Sequence, residues 1–360
     1  MKRLANLWPQ VTSFDNLYRA YRLARRGKRN RPDIIAFSLD LEAQLLQLRA
    51  LLLSGEYRPG RYRQFTVYER KLRVISAAPF VDRVVHHAVM GVVEAPLDRR
   101  FIFDSYAWRQ GKGVHAAVNR YQRLAQRHAY VVQLDVRQYF ASIDHCLLKA
   151  ALARRIGDAR VLQLLSLIID ASPPVMTHVG MFCGDDLLTC VERRHGIPVG
   201  NLTSQFFANL YLDDFDHWAK ESLRVPGYLR YVDDLILLAD DAYQLRDAVA
   251  QCHAFLERLR LRLHAGQTHI RRTSEKIPVL GYQVSRTRRW LRADNGYRFR
   301  RRLRAMAARY QRHQVSLVDV GKSVVAWTGH ARHAEADKLV ACILDGVLFQ
   351  RDTEASAPAG

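Results

Sequence analysis

The sequence predicts an α+β fold. Three observations carry that prediction. Segments of helical and strand periodicity alternate without a regular βα repeat, which disfavours a doubly wound sheet. Residues 62–76 and 227–241 read as strand, turn, strand, and residues 130–135 read as a further short strand. The remaining apolar residues recur mostly at helical spacing. With 360 residues, 49% of them hydrophobic, the chain can bury a real core and form two or three subdomains.

The elements follow in chain order. A basic stretch, residues 19–31, lies near the start. Ser38 to Leu53 reads as a helix with a Ser-x-x-x-Glu opening. Residues 62–76 alternate charged and apolar side chains like a hairpin, and Pro79 to Val93 returns to helical spacing. A loop containing Gly111 and Gly113 precedes a helix from Val114 to Gln126, and Tyr130 to Asp135 is a β-rich run ending in a carboxylate. Asp144 is placed to cap a helix reaching Ile156. Residues 172–195, with Pro173-Pro174 and several glycines, read as an inserted loop or hairpin. Leu202 to Leu223 and Ala242 to Leu261 are helical patterns flanking the strands of 227–241. Arg286 to Arg312 carries eleven arginines and one acid, a helical segment runs from Leu317 to Leu348, and the last residues read as a disordered tail.

Charge narrows the partners. Fifty-six basic residues against 35 acidic ones give +21, and most of the excess is arginine. Guanidinium donates in pairs to phosphate, so a nucleic acid is the leading partner class. Arginines between 286 and 312 interleave with Trp290, Tyr297, Phe299 and Tyr310, a pattern suited to backbone phosphates and stacking. No run approaches the ~20 apolar residues of a membrane span, and the start lacks a signal peptide, so a cytoplasmic protein without a membrane partner is expected. The five cysteines are spaced irregularly and read as reduced thiols. His330 and His333 lack further ligands at metal spacing.

The chemistry concentrates in carboxylates. Four Asp-Asp pairs occur, at 185–186, 213–214, 233–234 and 240–241. A solvated surface explains three of them. Asp233-Asp234 alone is flanked on both sides by strand formers, where adjacent carboxylates are costly unless a cation neutralises them. Asp135 supplies a third carboxylate at the end of its own strand. Two strands presenting these groups side by side suit two Mg2+ ions, or Mn2+, held by few protein oxygens and substrate phosphates.

At this point the residues resemble a known family, the reverse transcriptases. Tyr231-Val-Asp-Asp234 resembles their YxDD box, and Asp135-Val-Arg-Gln-Tyr-Phe140 their first catalytic motif. Leu280-Gly281-Tyr282 is similar to the primer grip. Tyr68-Glu-Arg-Lys71-Leu-Arg73 resembles the fingers hairpin that holds the triphosphate. The resemblance implies a right-hand polymerase. Residues 1–125 would form an N-terminal extension and fingers, and 126–285 a palm with antiparallel sheet and the inserted loop 172–195. Residues 286–350 would form a helical basic thumb, and 351–360 a disordered tail. It implies Asp135, Asp233 and Asp234 as catalytic metal ligands. It implies dNTP contacts from Lys71, Arg73, Phe140, Gly200 and Gln205, with Phe140 excluding a ribose 2′-hydroxyl. It implies primer and template contacts from Tyr231, Leu280, Gly281, Tyr282, Arg300 and Arg301, with template RNA and the RNA/cDNA duplex as partners.

Gly200-Asn-Leu-Thr-Ser-Gln205 has Ser-Gln where intron and retron enzymes usually have Ser-Pro. That form resembles the polymerases of diversity-generating retroelements, as do 105–113 and Trp327 to Ala331. This subgroup implies error-prone cDNA synthesis at adenines, mutagenic retrohoming and a small basic helical accessory protein. A compact antiviral-defence enzyme or a group II intron or retron-like reverse transcriptase is the alternative. Two readings outside the family also use these residues. A non-catalytic RNA-binding module explains the charge but not three carboxylates. A metal-dependent nuclease leaves the basic hairpin and the Leu-Gly-Tyr segment unexplained.

Overall fold

The computed structural model describes residues 2–68, 72–175, 180–264, 266 and 268–351. Lys71 and the tail 352–360 therefore lie outside the described residues. The N-terminal part is helical: α1 (Trp8–Val11), α2 (Phe14–Ala24), α3 (Pro32–Leu39) and α4 (Leu41–Ser54). A hairpin of β1 (Arg63–Tyr68) and β2 (Leu72–Ala77) follows, then α5 (Phe80–Asp98) and α6 (Val114–Arg127). Next come β3 (Tyr130–Asp135), α7 (Tyr139–Ser142), α8 (His145–Arg155), α9 (Ala159–Asp170) and α10 (Leu187–Glu192). Helices α11 (Leu202–Tyr211) and α12 (Asp213–Glu221) lead into the hairpin of β4 (Gly227–Tyr231) and β5 (Asp234–Ala239), then α13 (Ala242–Arg258). Short strands β6 (Arg271–Arg272), β7 (Ile277–Val279), β8 (Tyr282–Val284) and β9 (Arg289–Leu291) precede α14 (Ala293–Gln311), α15 (Leu317–Ala331) and α16 (Asp337–Asp345).

The central sheet has the order β4-β5-β3-β6, with every neighbouring pair antiparallel. Leu235 to Leu238 are buried on both faces of it, which is why β5 reads as a continuous apolar run rather than an alternation. Val132, Leu134, Leu235 and Leu237 join a core with helices that include α2, α5, α8 and α13. Val131, Leu229, Ile236 and Leu238 join a second core with α6, the β7-β8-β9 sheet and the C-terminal helices. Mixed helices and antiparallel sheets fulfil the α+β expectation.

Several expected elements differ. The helix expected from Ser38 is broken at Asp40 (φ −127°, ψ 54°), so Ser38 lies in the last turn of one helix, which ends at Leu39, and Leu41 begins the next. The pattern over 202–223 divides at Leu212, and that over 317–348 divides across 332–336. Arg289 to Leu291 form a strand paired with β8, so the arginine-rich stretch is not helical from its start. Within 172–195 the described part holds the short helix α10 and no hairpin. Asp144 caps α8 as expected, accepting the Leu147 amide at 3.0 Å. All five cysteines are free, and among the described residues no helix is long and apolar enough to cross a membrane.

Candidate active site

The carboxylates meet through strand register. In the β3–β5 ladder Asp135 lies directly opposite Asp234, and in the β4–β5 ladder Tyr231 lies opposite Asp234. Cross-strand partners share one face, with Cβ atoms typically about 4.5–5.5 Å apart. Tyr231, Asp234 and Asp135 thus form one row across three strands. Asp233 sits beside that row in the two-residue turn joining β4 to β5, and its carbonyl accepts the Val136 amide at 3.3 Å. Residues 98 positions apart in sequence are thereby neighbours.

The turn itself is strained. Val232 has φ of +60°, while Asp233 is not among the described residues of positive φ. That pattern matches a II′ hairpin turn, whose first central position favours glycine. Left-handed backbone costs an L-residue roughly 1–2 kcal/mol, and a β-branched side chain suits it poorly. Val232 is nonetheless 7% exposed and packs into the core. Strain of this kind persists only where surrounding contacts over-determine it.

Electrostatics separates this pair from the other three. Burial raises the Asp234 carboxyl to about 7, and the charges of Asp233 and Asp135 push the same way. Burial likewise raises Asp233 to about 6; its own backbone amide, Arg73 and Arg230 oppose this while Asp135 adds to it. The remaining Asp-Asp pairs are stabilised locally. Asp213 and Asp214 pair with Arg155. Asp185 pairs with Arg193 and Asp186 caps α10. Asp240 takes the Ala129 amide and Asp241 caps α13. The expected solvated surface is therefore corrected for Asp185 and Asp213, whose side chains are each 3% exposed and held by arginine. Among the described residues neither Asp233 nor Asp234 forms an ion pair.

Three carboxylates, two of them half-buried and raised, fit a hard divalent cation. Among the described residues no three acidic, histidine or cysteine side chains gather into a ready metal cage. Magnesium-like ions do not need one, since waters and substrate phosphates complete their shell.

The other predicted residues lie on several different elements. Arg73 is exposed on β2, and its charge reaches Asp233. Phe140 lies on α7, edge-on to Trp108 at 5.9 Å and half-buried. Gly200 has φ of +106°, and a Cβ there would meet Ile75 at 3.1 Å. Its neighbours are pinned to β2: the Ser76 amide donates to Val199, and the Asn201 side chain donates to Ser76. Gln205 lies in the first turn of α11, its amide 3.4 Å from the Asn201 carbonyl. Leu280 and Gly281 form the tight turn of the β7–β8 hairpin, with φ of +47° and +96°. Tyr282 is fully buried, and its hydroxyl bonds to His330, so its side chain anchors that hairpin from below. Arg300 and Arg301 are exposed on α14, whose opposite face buries Phe299, Leu303 and Tyr310.

Sequence reasoning gave no role to one prominent group. Arg230 is 0% exposed and forms an ion pair with Asp216, also 0% exposed. The available signal was an arginine inside the otherwise apolar strand Gly-Tyr-Leu-Arg-Tyr.

Comparison with known proteins agrees with the geometry. Residues 64–284 match the family described as reverse transcriptase (RNA-dependent DNA polymerase). The chain is 27% identical to protein YkfC of Escherichia coli K12, over 69% of this chain and 73% of that protein. It is 22% identical to the group II intron-encoded protein LtrA of Lactococcus lactis, over 49% of this chain and 28% of that one. It is 26% identical to the retrovirus-related Pol polyprotein of the R2 element from Popillia japonica, over 62% of this chain and 32% of that one. The chain thus spans about a third or less of the last two. The matched stretch contains both ladders that bring Asp135, Asp233 and Asp234 together, and the chain belongs to the reverse transcriptase family, the RNA-directed DNA polymerases.

Proposed function

We propose that this chain copies RNA into cDNA with Asp135, Asp233 and Asp234 as the ligands of two divalent ions, Mg2+ or Mn2+. The observation that carries the reading is the cross-strand pairing of Asp135 with Asp234, with Asp233 at the adjoining turn. Reverse transcriptases generally use divalent metal ions and take an RNA template and nucleotides. Bound there, the ions would lower the pKa of a primer 3′-hydroxyl and neutralise the triphosphate and leaving pyrophosphate.

In this reading the helices before α6 and the β1–β2 hairpin are fingers, the central sheet is the palm, and α14 to α16 are the thumb. Arg73, with Lys71, binds the triphosphate from the hairpin. Gly200 lets the chain pass close under β2, so that Gln205 lies beside the incoming pair. Tyr231 and the Leu280-Gly281 turn face the primer end, while Tyr282 supports that turn. Arg300 and Arg301 on exposed α14 follow the duplex backbone. Primed RNA, dNTPs and Mg2+ test the whole: extension is expected, and degradation of the template would favour a nuclease instead.

Phe140 closes the sugar pocket. Phe140→Ala is expected to raise incorporation of ribonucleotides over deoxynucleotides by at least roughly 10–200-fold, the range for a steric change of a single methylene. Competition assays with rNTPs and dNTPs read this directly.

The subtype proposed is the error-prone enzyme of a diversity-generating retroelement, supported by Ser204-Gln205 and the segments 105–113 and 327–331. A small basic helical accessory protein is part of that reading. The intron-type alternative is supported by similarity to an intron-encoded protein, and a compact defence-type enzyme stands beside it as the other alternative. Gln205→Pro separates them. Proline there removes only the long first bond of α11, from the Gln205 amide to the Asn201 carbonyl at 3.4 Å, and a melting curve of the variant checks that the helix start is kept. Fewer errors opposite template adenines are expected on sequencing the cDNA, and an unchanged adenine spectrum would count against the subtype.

A further inference from the structure

The largest fully buried side chain in the described residues is a charged one, Arg230. Its Nε donates to both Asp216 oxygens at 2.8 and 3.0 Å, and Nη2 donates to Oδ2 at 2.6 Å. Tyr228 donates its hydroxyl to the same carboxylate at 2.6 Å. Asp216 on α12 thus fixes the guanidinium plane. The remaining donors point elsewhere. Nη2 reaches Ser105 Oγ at 3.2 Å and the Asn209 carbonyl at 3.3 Å. Nη1 reaches Asn209 Oδ1 at 3.3 Å and the Val232 carbonyl at 3.1 Å. The Arg230 backbone is held as well, its amide donating to Asp104 and its carbonyl accepting from Tyr106.

A buried ion pair is weak evidence of stabilisation, because apolar side chains of similar volume often serve as well. An apolar side chain could not, however, hydrogen-bond the Val232 carbonyl. That carbonyl belongs to the peptide joining Val232 to Asp233, the central peptide of the strained turn. Its orientation distinguishes the II′ turn from the I′ turn. If the peptide flipped, Val232 would keep its positive φ but its ψ would move into the left-handed basin of a I′ turn, which an L-residue tolerates better; Asp233 would take positive φ, and its carboxylate would swing relative to Asp135. We propose that Arg230, oriented by Asp216 and Asn209, is a positioning residue that clamps the Val232–Asp233 peptide and so aims Asp233 at Asp135. The arginine touches no substrate and acts only through the turn. The inference rests on the proposed catalytic role of Asp233.

The clamp is tested by a double-mutant cycle on the full chain. Arg230→Lys retains the charge but lacks the fork that spans Asp216 and the Val232 carbonyl. Its kcat for primer extension is expected to fall roughly 100-fold, with the dNTP KM changed less than threefold. In the Val232→Gly background the turn no longer needs a clamp, because glycine takes positive φ freely. There the same Arg230→Lys change is expected to cost at most about tenfold relative to its own parent. Asn209→Ala is the milder variant, usable if Arg230→Lys does not fold. It removes one acceptor of Nη1 and keeps the ion pair, and a threefold to tenfold loss is expected, again relieved by Val232→Gly. Equal losses in both backgrounds, or a loss confined to KM, overturn the clamp. Asp233→Asn serves as the control. If it still extends primers, the catalytic reading fails; if it is inactive while the losses stay equal, only the clamp fails.

Discussion

Replacing Asp233 or Asp234 with asparagine is expected to abolish primer extension and to stabilise the metal-free protein at the same time. Loss of one carboxylate from the row removes a charge that would hold a divalent ion. A loss of about 10³-fold or more, ~4 kcal/mol of barrier, is expected in kcat. The stability change has the opposite sign, and it follows from proton linkage. Both folded carboxyls lie above their ordinary value of 3.8, at about 6 and about 7. Between pH 4 and 7 the folded chain therefore holds protons that the unfolded chain releases, and stability falls as pH rises through that window. Above pH 7 the penalty is fully present, because two half-buried charges face each other and Asp135. An asparagine carries no such penalty. Thermal melting without metal should place Asp234→Asn above the parent at pH 8, with the gap closing towards pH 4. Mg2+ should raise the parent's midpoint at pH 8 more than the variant's. A variant that melts below the parent at pH 8 while retaining extension would contradict both halves of this account.

The largest loss of stability is expected at a carboxylate with no chemical role. Asp144 is 1% exposed and acts in two ways. One oxygen caps α8 through the Leu147 amide at 3.0 Å. The other receives Arg260 at 2.5 Å and lies 3.6 Å from Arg193, which is itself 4% exposed. Arg193 also pairs with Asp185, so Asp144 joins the described part of 180–195 to the body of the protein. Asp144→Ala removes the cap, worth about 1 kcal/mol. It also leaves buried guanidinium without one partner, which commonly costs about 3–5 kcal/mol. A total of about 3–5 kcal/mol is expected from urea unfolding, since Arg260 is 29% exposed and regains some water. Asp144→Asn still caps the helix, so it isolates the ionic contribution. A loss near 1 kcal/mol for alanine would mean that the ion pairs contribute nothing.

Local patterns made much of the fold legible. The strand at 130–135, the hairpin at 227–241 and the helix beginning at Val114 were readable because periodicity and turn chemistry are short-range properties. The candidate carboxylates were readable for the same reason, as acids interrupting apolar strands. Helix breaks were less legible. Leu212 interrupts the helical pattern with no glycine or proline to announce it; the signal present is the run of acids Asp213, Asp214 and Asp216, which fills the first turn of α12, where acids favour a helix start.

The sequence by itself determined which side chains are available: three acids among strand formers, an arginine-rich stretch, and a large positive charge. Only the tertiary structure decided that Asp135 opposes Asp234, because that pairing depends on the register of strands 99 residues apart. It also decided that Arg230 lies fully buried on Asp216 with a donor left for the Val232 carbonyl. An isolated arginine in a strand is equally compatible with solvent. Its fate depends on whether a distant carboxylate is brought close enough to offset desolvation, and that is a property of three-dimensional packing alone.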